Sequence, residues 1–440
     1  MTDNPLVLQN FASDWDKSQL VSCCSLIKDG THGTHERVEN GIPLLSAKNI
    51  TEEGSVHWDS SDSCISKDDY NLIHRRYQLE KNDLLLTVVG TLGRRALVKN
   101  DDSFTIQRSV AVLRTNESLL EPNYLYHFTG SAYFQKQLVL RSNSTAQAGL
   151  YLGELEQIEI AIPDIQEQKK IAEVLDTIDE AIATTTAHIN KLKQAKAGLL
   201  HDLLTRGIDE NGELRDPVEH PELFWDSPIG RIPKDWEVVP LSSVAKKITS
   251  GSRGWAQYYV RSGAMFIRIG NLTREHTDLQ LENLIYVSPP AGTEGARTKV
   301  EEGDVLISIT ADLGIVGVIP KDFGKAFVNQ HIALVRVDKE DVVPFWIGLM
   351  LSHENGQAQF RKANDSGAKA GLNLSAIASL LIAKPKHDEQ TSIAEIVGKS
   401  DSAIKEKSVC LNKLKLLKKG LMSDLLTGRV RVNLDDPEDA

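Results

Sequence analysis

Glu167 begins the stretch "EQKKIAEVLDTIDEAI" and Glu389 begins "EQTSIAEIVGKSDSAI", so one amphipathic segment is written twice at an offset of 389 − 167 = 222. At that constant offset the windows Gln166–Ile208 and Asp388–Val430 share 19 of 43 positions, and they close on nearly the same words, "GLLHDLLT" and "GLMSDLLT". A repeat of this kind is settled before any other element is assigned, because missing it misassigns the whole fold. Inside each copy the apolar spacing is regular. Ile171, Leu175, Ile178, Ile182, Thr185, Ile189, Leu192, Lys196, Leu199 and Leu203 alternate steps of four and three. So do Ile393, Val397, Ser400, Ile404, Lys407, Leu411, Leu414, Lys418, Leu421 and Leu425. Sustained 4-3 spacing is the seam of a coiled coil. A helix packed only on its own domain is the alternative, but so narrow a stripe calls for one partner of its own kind, and the chain supplies one. Asp164, following Pro163, is placed to cap the first helix, with Glu167 completing a capping-box-like pair, and Gly207 and Gly428 mark the ends. About 40 residues at roughly 1.5 Å each predicts a rod of roughly 60 Å.

The repeat extends upstream. "GIPLLSAKNI" from Gly41 lines up with "GAMFIRIGNL" from Gly263, and "NDLLLTVVGTLG" from Asn82 with "GDVLISITADLG" from Gly303. "IQRSVAVLR" from Ile106 parallels "NQHIALVRV" from Asn329, "AGLYLGELEQIEIAIP" from Ala148 parallels "AGLNLSAIASLLIAKP" from Ala370, and Trp15 has a counterpart in Trp236. These short Val-, Ile- and Leu-rich pieces, separated by Gly, Asn and Asp, read as strands and turns. The predicted order is globule, long helix, globule, long helix: an α+β fold with a first globule at 1–163, a helix at 164–208, a second globule at 236–385 and a helix at 386–430. The acidic, proline-containing stretch 209–235 reads as a linker, and 431–440 as an acidic tail.

At 440 residues the chain is long enough for two or more domains, and 41% hydrophobic with 25% charged residues is ordinary for a globular protein in water. No apolar run reaches the roughly 18 residues of a membrane-spanning helix, so no membrane partner is expected. The opening "MTDNPLVLQNFASDWDK" lacks a basic region followed by an apolar core, so no secretory signal is expected. Cys23, Cys24, Cys64 and Cys410 form no CxxC pair and no zinc spacing, which reads as free thiols in a reducing cytoplasm. A net charge of -11 argues against indiscriminate nucleic-acid binding, yet leaves room for a DNA reader whose basic residues are local.

No catalytic constellation emerges. "VGKS" at Val397–Ser400 carries the end of a phosphate-loop motif, but its first glycine would fall at Ile393, inside the helix. "PDIQEQK" at Pro163–Lys169 has a nuclease-like PD and ExK, spaced too tightly and better explained as a helix cap. His32 and His35 in "DGTHGTH" find no third ligand at metal spacing, and a polar, glycine-rich turn is the plainer reading. A duplicated scaffold with divergent inserts suits recognition of two different things. Arg, Lys, Gln and Asn read base edges in a major groove, while other basic residues only fix phosphates. Each half carries basic and aromatic residues on expected loops, and in the first half these are Arg75, Arg76, Arg94, Arg95, Arg108 and Arg141. In the second half they are Arg253, Trp255, Gln257, Tyr258, Arg274, Arg297, Arg361 and Lys369. For any one of them a solvated surface charge is the bland alternative. "TSGSRGWAQYY" at Thr249–Tyr259 is the strongest stretch, since its glycines allow close backbone approach beside Arg and aromatic side chains.

The junction "GLYLGELEQIEIAIPDIQEQKKIAEVLDTID" resembles that between a target-recognition domain and a long helix in the DNA-specificity subunit of type I restriction-modification enzymes. "SPIGRIPKDWEVVPL" at Ser227–Leu241 resembles the start of the second recognition domain, and "IKDGTHGTH" at Ile27–His35 a motif early in the first; no base-reading residue carries over by motif, and Thr31, His32, Thr34 and His35 join the DNA-binding candidates by residue type and loop position. The resemblance covers essentially the whole chain. It implies a non-catalytic subunit with two tandem target-recognition domains, whose long helices lie antiparallel as a coiled coil and give the chain internal pseudo-twofold symmetry. It further implies that double-stranded DNA is read as a split, asymmetric target, with the helices as a ruler for the spacer. Two adenine-methyltransferase subunits and motor-nuclease subunits would be the partners. S-adenosylmethionine, ATP and magnesium would belong to those partners, with no cofactor or metal in this chain. A protein-binding coiled-coil adaptor is the alternative from another class, and it predicts no sequence-specific DNA binding. An unrecognised nuclease is a third, and it predicts metal-dependent cleavage by the chain alone. Removing about one turn from the Gln166–Arg206 helix should change the spacer and leave both half-sites unchanged.

Overall fold

Pro163 ends a strand, and Asp164 starts the first long helix: its carboxylate accepts the Gln166 N–H at 2.9 Å. The computed structural model describes residues 11–99, 103–143, 149–289, 292–365 and 371–434. Two units emerge, one from Met1–Thr186 with Val409–Ala440 and the other from Ala187–Ser408.

In the first unit the elements are β1 (Asp16–Gln19), α1 (Leu20–Cys23), β2 (Cys24–Asp29), β3 (Ile42–Leu45), β4 (Cys64–Ile65), α2 (Lys67–Ile73), β5 (Leu84–Thr87), β6 (Arg95–Leu97), β7 (Thr105–Ile106), β8 (Val110–Thr115), α3 (Pro122–Thr129), α4 (Ala132–Arg141), α5 (Leu152–Glu156) and β9 (Glu159–Ile162). The long helix α6 (Ile165–Thr205) starts here. The second unit continues with β10 (Phe224–Ser227), β11 (Gly230–Pro233), β12 (Glu237–Pro240), α7 (Leu241–Val244), β13 (Ala245–Ser250), β14 (Tyr259–Val260), β15 (Ala264–Ile267), β16 (Ile285–Val287), α8 (Thr293–Thr298), β17 (Val305–Ser308), β18 (Val316–Val318), β19 (Ala326–Val328), β20 (Ile332–Val337), α9 (Pro344–Ser352), α10 (Glu354–Asp365), α11 (Leu374–Ala378), β21 (Leu381–Lys384) and the long helix α12 (His387–Leu425).

Each unit holds the same antiparallel four-stranded sheet, β2-β8-β5-β6 in the first and β13-β20-β17-β18 in the second. A second sheet packs beside it, β4-β3-β7 or β14-β16-β15-β19, whose β3–β7 and β15–β19 pairs run parallel. The central strands read as apolar runs because both their faces are covered. Leu84 and Leu86 of β5 enter the core beneath the helices, while Leu85 between them enters the core beneath the second sheet. Val305, Ile307 and Leu306 of β17 divide in the same way. A two-stranded antiparallel ribbon, β1-β9 or β12-β21, closes each globule and feeds its long helix.

The segment 209–235, read from sequence as a linker, is structured. Its β10–β11 hairpin buries Ile229 and Ile232 in the second unit's core, together with Ile208 just ahead of it.

The seam follows the expected rhythm where it meets the globules. Ile171, Leu175, Ile178 and Leu425 are buried in the first unit, with Ile182, Leu411, Leu414 and Leu421 half-buried. Ile189, Leu203, Ile393 and Val397 are buried in the second, with Leu192, Leu199 and Ile404 half-buried. Lys407 departs from the pattern and is exposed, since an ammonium without a carboxylate beside it stays in water. The two seam lysines that go inward have such partners: Lys418 Nζ meets Asp179 at 2.5 Å in the first unit, and Lys196 Nζ pairs with Asp401 in the second. In both pairs the residue numbers sum to 597 (179 + 418 and 196 + 401), so α6 and α12 run antiparallel. A shift of 222 converts one pair into the other.

Glu167 does not form the capping box expected of it. Its carboxylate, 2% exposed, accepts from Trp15 Nε1 at 3.2 Å and from Arg431 Nε and Nη2 at 2.6 and 2.7 Å. A buried carboxylate gains more from a charged donor than from one backbone N–H. Glu389 repeats the arrangement, accepting from Trp236 Nε1 at 3.2 Å, from Arg215 Nη1 and Nη2 at 2.5 and 3.2 Å, and from the Ile208 N–H at 3.0 Å. Each arginine comes from the segment following the other long helix. Gly207 sits at φ +63° beside this cluster, where a Cβ would overlap the Glu389 carboxylate, Arg215 and the Trp236 ring.

Candidate nucleic-acid interface

Two loops occupy equivalent places at the ends of β2 and β13. In the first unit Thr31 bridges Gln107 in parallel fashion, and the Arg108 N–H donates to the Thr31 carbonyl at 3.1 Å. In the second, Ser252 bridges Asn329, and the Gln330 N–H donates to the Ser252 carbonyl at 3.0 Å. Each unit therefore joins the "THGTH" or "GSRGW" loop to the turn before β8 or β20. The pairing aligns Gln107 with Asn329 and Arg108 with Gln330, one residue away from the alignment read off the sequence.

The first loop is ordered by its own polar residues. Thr31 Oγ1 and His35 Nε2 are 2.8 Å apart, and His35 Nδ1 lies 3.3 Å from Asp69 of α2, which ties the loop to that helix. His32 is exposed with Nε2 at 2.5 Å from Asp29, and Thr34 is exposed. Among the described residues no three His, Cys, Asp or Glu gather as metal ligands. Arg75 and Arg76 follow α2, where His74 Nε2 is 2.8 Å from Thr105 Oγ1 on β7, so they flank the strand leading to Arg108. Arg75, Arg76 and Arg108 are exposed, as is Arg37, which the sequence reading had passed over. None of these four has a side-chain partner among the described residues.

The other arginines singled out in this half are tied into the protein. Arg95 donates through Nε to the Tyr126 carbonyl at 2.8 Å, lies over the Tyr126 ring, and is held below the usual guanidinium range by burial. Arg94 Nη2 meets Glu52 at 2.9 Å and Nη1 the Ile50 carbonyl at 3.4 Å. Arg141 pairs with Glu154 at 3.3 Å.

In the second half the sorting is similar. Arg253 and Gln257 are exposed in the "GSRGW" loop, and Tyr258 is half-buried. Trp255 is 5% exposed and packs in an aromatic cluster with Phe266 and Phe327, at ring distances of 5.7 and 5.2 Å. It supports the loop from beneath. Arg297 donates to Thr249 Oγ1 at 2.8 Å and to the Ser250 carbonyl, fixing the strand that enters the loop. Arg274 is held by Asp312 at 2.6 Å, by Gln357 at 2.8 Å and by the Leu313 carbonyl at 2.7 Å. Arg361 is exposed on α10 and lies in a different element from the loop. Lys369 lies outside the described residues. Gln330 and His331 join the site although the sequence reading did not select them. The signal was the offset itself, since 108 + 222 = 330 places Gln330 opposite Arg108.

The family description "Type I restriction modification DNA specificity domain" matches the chain twice, over residues 12–194 and 233–415. The chain belongs to the type I restriction-modification DNA specificity family. As a specificity subunit it recognises a DNA target sequence and is a non-catalytic component of its system. In Methanocaldococcus jannaschii a chain provisionally named the type I restriction enzyme MjaX specificity subunit is 26% identical over 440 residues, covering 95% of this chain and 94% of that one. The type I restriction enzyme MjaVIII specificity subunit of the same organism is 23% identical, covering 95% and 93%. The EcoKI specificity subunit of Escherichia coli is 22% identical, covering 87% and 81%. The fold is shared with the crystal structure of the type I restriction-modification S subunit from M. genitalium, with a TM-score of 0.59, 16% identity and coverage of 97% and 98%. Specificity subunits bind DNA and act in complexes with methyltransferase and restriction subunits. Among the described residues no helix is long and apolar enough to cross a membrane.

Proposed function

We propose that each unit of this specificity subunit reads one half of a split, asymmetric DNA target. The first would read through the 31–41 loop, the Gln107–Arg108 turn and Arg75 and Arg76. The second would read through the 251–258 loop and the Asn329–His331 turn. The observation that carries this reading is the sorting of the cations. Most of the candidate arginines elsewhere are occupied inside the protein, whereas Arg75, Arg76, Arg108 and Arg253 around these two equivalent loops are exposed and have no side-chain partner among the described residues. Unpaired guanidinium groups on ordered loops are what phosphates and guanine edges select.

Two methyltransferase subunits bringing S-adenosylmethionine, and motor-nuclease subunits bringing ATP and magnesium, complete the proposed assembly. The chain would then act in the cytoplasm, and the two helices would set the separation of the half-sites.

The test is a paired deletion. Removing one heptad from α6 between Asp179 and Lys196, and one from α12 between Asp401 and Lys418, keeps both seam ion pairs and the 4-3 rhythm. About 10 Å would be lost at roughly 1.5 Å per residue, so methylation mapping should show a spacer shorter by about 3 base pairs at roughly 3.4 Å each. Both half-sites should be unchanged. A changed half-site with the original spacer would refute the ruler role.

A further inference from the structure

We infer that Gln330, held by His331, is a base-reading side chain of the second unit and that it reads the adenine of an A·T pair through the major groove. The inference rests on the DNA-reading role proposed above for this loop and turn. Gln330 stands where the first unit has Arg108, on a backbone fixed by the same N–H to carbonyl bond.

What differs is the side chain and its support. Gln330 Nε2 lies 2.9 Å from His331 Nε2, and His331 Nδ1 lies 2.7 Å from Thr310 Oγ1. An amide nitrogen only donates, so His331 Nε2 accepts and the ring proton sits on Nδ1, where it donates to the Thr310 hydroxyl. The His331 N–H in turn donates to Asn329 Oδ1 at 3.2 Å. The amide of Gln330 is thereby held at the end of a three-residue chain, with one N–H spent and with Oε1 and the second N–H left over. One acceptor and one donor side by side are the complement of adenine N6–H and N7, the pair that Gln reads in two-point fashion. A neutral amide carries no charge to attract phosphate, and holding it in place reduces the rotamer freedom lost on contact. The first unit does not repeat the device. Its residue at the position of His331 is Ser109, whose hydroxyl turns inward to accept the Ala47 N–H at 3.1 Å and leaves Arg108 unsupported. Gln330 is the reader in this scheme and His331 the positioning residue.

The experiment uses the full chain with its methyltransferase partner, selecting from duplexes randomised across both half-sites. Gln330→Ala should lower discrimination about 10-fold to 100-fold at one A·T position, within the half-site that follows the second unit in domain swaps. Gln330→Arg should move the preference at that position from A·T to G·C. His331→Ala should relax the same position in part, and His331→Gln, which keeps a polar group near the lost Nε2, should restore it. Unchanged discrimination in Gln330→Ala overturns the inference. So does a uniform loss of binding on all sequences, or a change confined to the other half-site. If the unsubstituted complex shows no sequence preference at all, it is the DNA-reading role of this loop that falls instead.

Discussion

Replacing Glu389 by alanine should destabilise the second unit more than Glu167→Ala destabilises the first, although the two glutamates are equivalent in the repeat. The Glu389 side chain is 10% exposed and Arg215 is 13% exposed. The carboxylate satisfies two guanidinium N–H groups, the Trp236 indole and the Ile208 N–H. Removing it leaves the buried Arg215 guanidinium to the half-exposed Asp235 at 3.1 Å, which costs about 3 kcal/mol, and leaves two neutral donors with about 1–3 kcal/mol at stake before water enters. A net loss of about 4 kcal/mol follows. Both arginines keep a second carboxylate, Arg431 with Asp14 at 2.7 Å and Arg215 with Asp235 at 3.1 Å, but Arg431 is 46% exposed, so hydration limits the loss at Glu167 to about 2 kcal/mol. A chain of two units does not unfold in one step, so the assay is amide hydrogen exchange read separately on β17 and β20 and on β5 and β8. In Glu389→Ala the protected amides of β17 and β20 should exchange about 10³-fold faster, at 1.36 kcal/mol per tenfold. The double variant Glu389→Ala/Arg215→Ala should recover part of the loss, because the buried guanidinium that has lost its buried carboxylate is removed with it. Equal losses at the two sites, or a double variant as unstable as the sum of the singles, would show that the carboxylate is not what holds this junction.

The seam pair offers a charge-swap test. Lys196→Asp or Asp401→Lys alone places like charges together at a position 9% exposed and should cost about 3 kcal/mol, while the two together should recover most of it in the same exchange experiment. Acid offers another. His353 is held below the ordinary histidine range by burial and by the neighbouring His201, and His74 of the first unit by burial. The unfolded chain therefore takes up the proton first, so stability is level above about pH 6.5 and declines as the pH falls below it. Melting between about pH 7.5 and 5.5 should show a shallower decline in His353→Asn than in the parent, and an unchanged slope would contradict this.

The helices were legible because their 4-3 period is local and appears twice, and the strands because β5 and β17 are continuous apolar runs. The site was legible only in outline. Arg95 and Arg108 look alike in sequence, yet Arg95 is consumed by a carbonyl 31 residues on and Arg108 is not. Trp255 read as a ligand-facing aromatic because the two phenylalanines that enclose it come from β15 and β19. Gln330 was hidden by a one-residue error in aligning a short insert, which the constant offset of 222 carried by the long helices corrects. Occupancy of a side chain by a partner distant in sequence is what single-sequence reasoning lacks.

The turn "GTLGRRA" and its counterpart "ADLGIVG" carry a record of separate histories. In the first unit the turn supplies the cation and the facing loop the anion, as Arg94 to Glu52. In the second the polarity is reversed: Arg274, at the position of Glu52 (52 + 222), reaches Asp312 of the turn. Two copies of one ancestral segment have thus become mutually incompatible at this joint. A recombinant that exchanged only the turn would set Arg94 against Arg274 in one half and Glu52 against Asp312 in the other. Exchange between the halves would be tolerated for whole globules and penalised for fragments, which would channel the evolution of new DNA specificities into whole-domain shuffling.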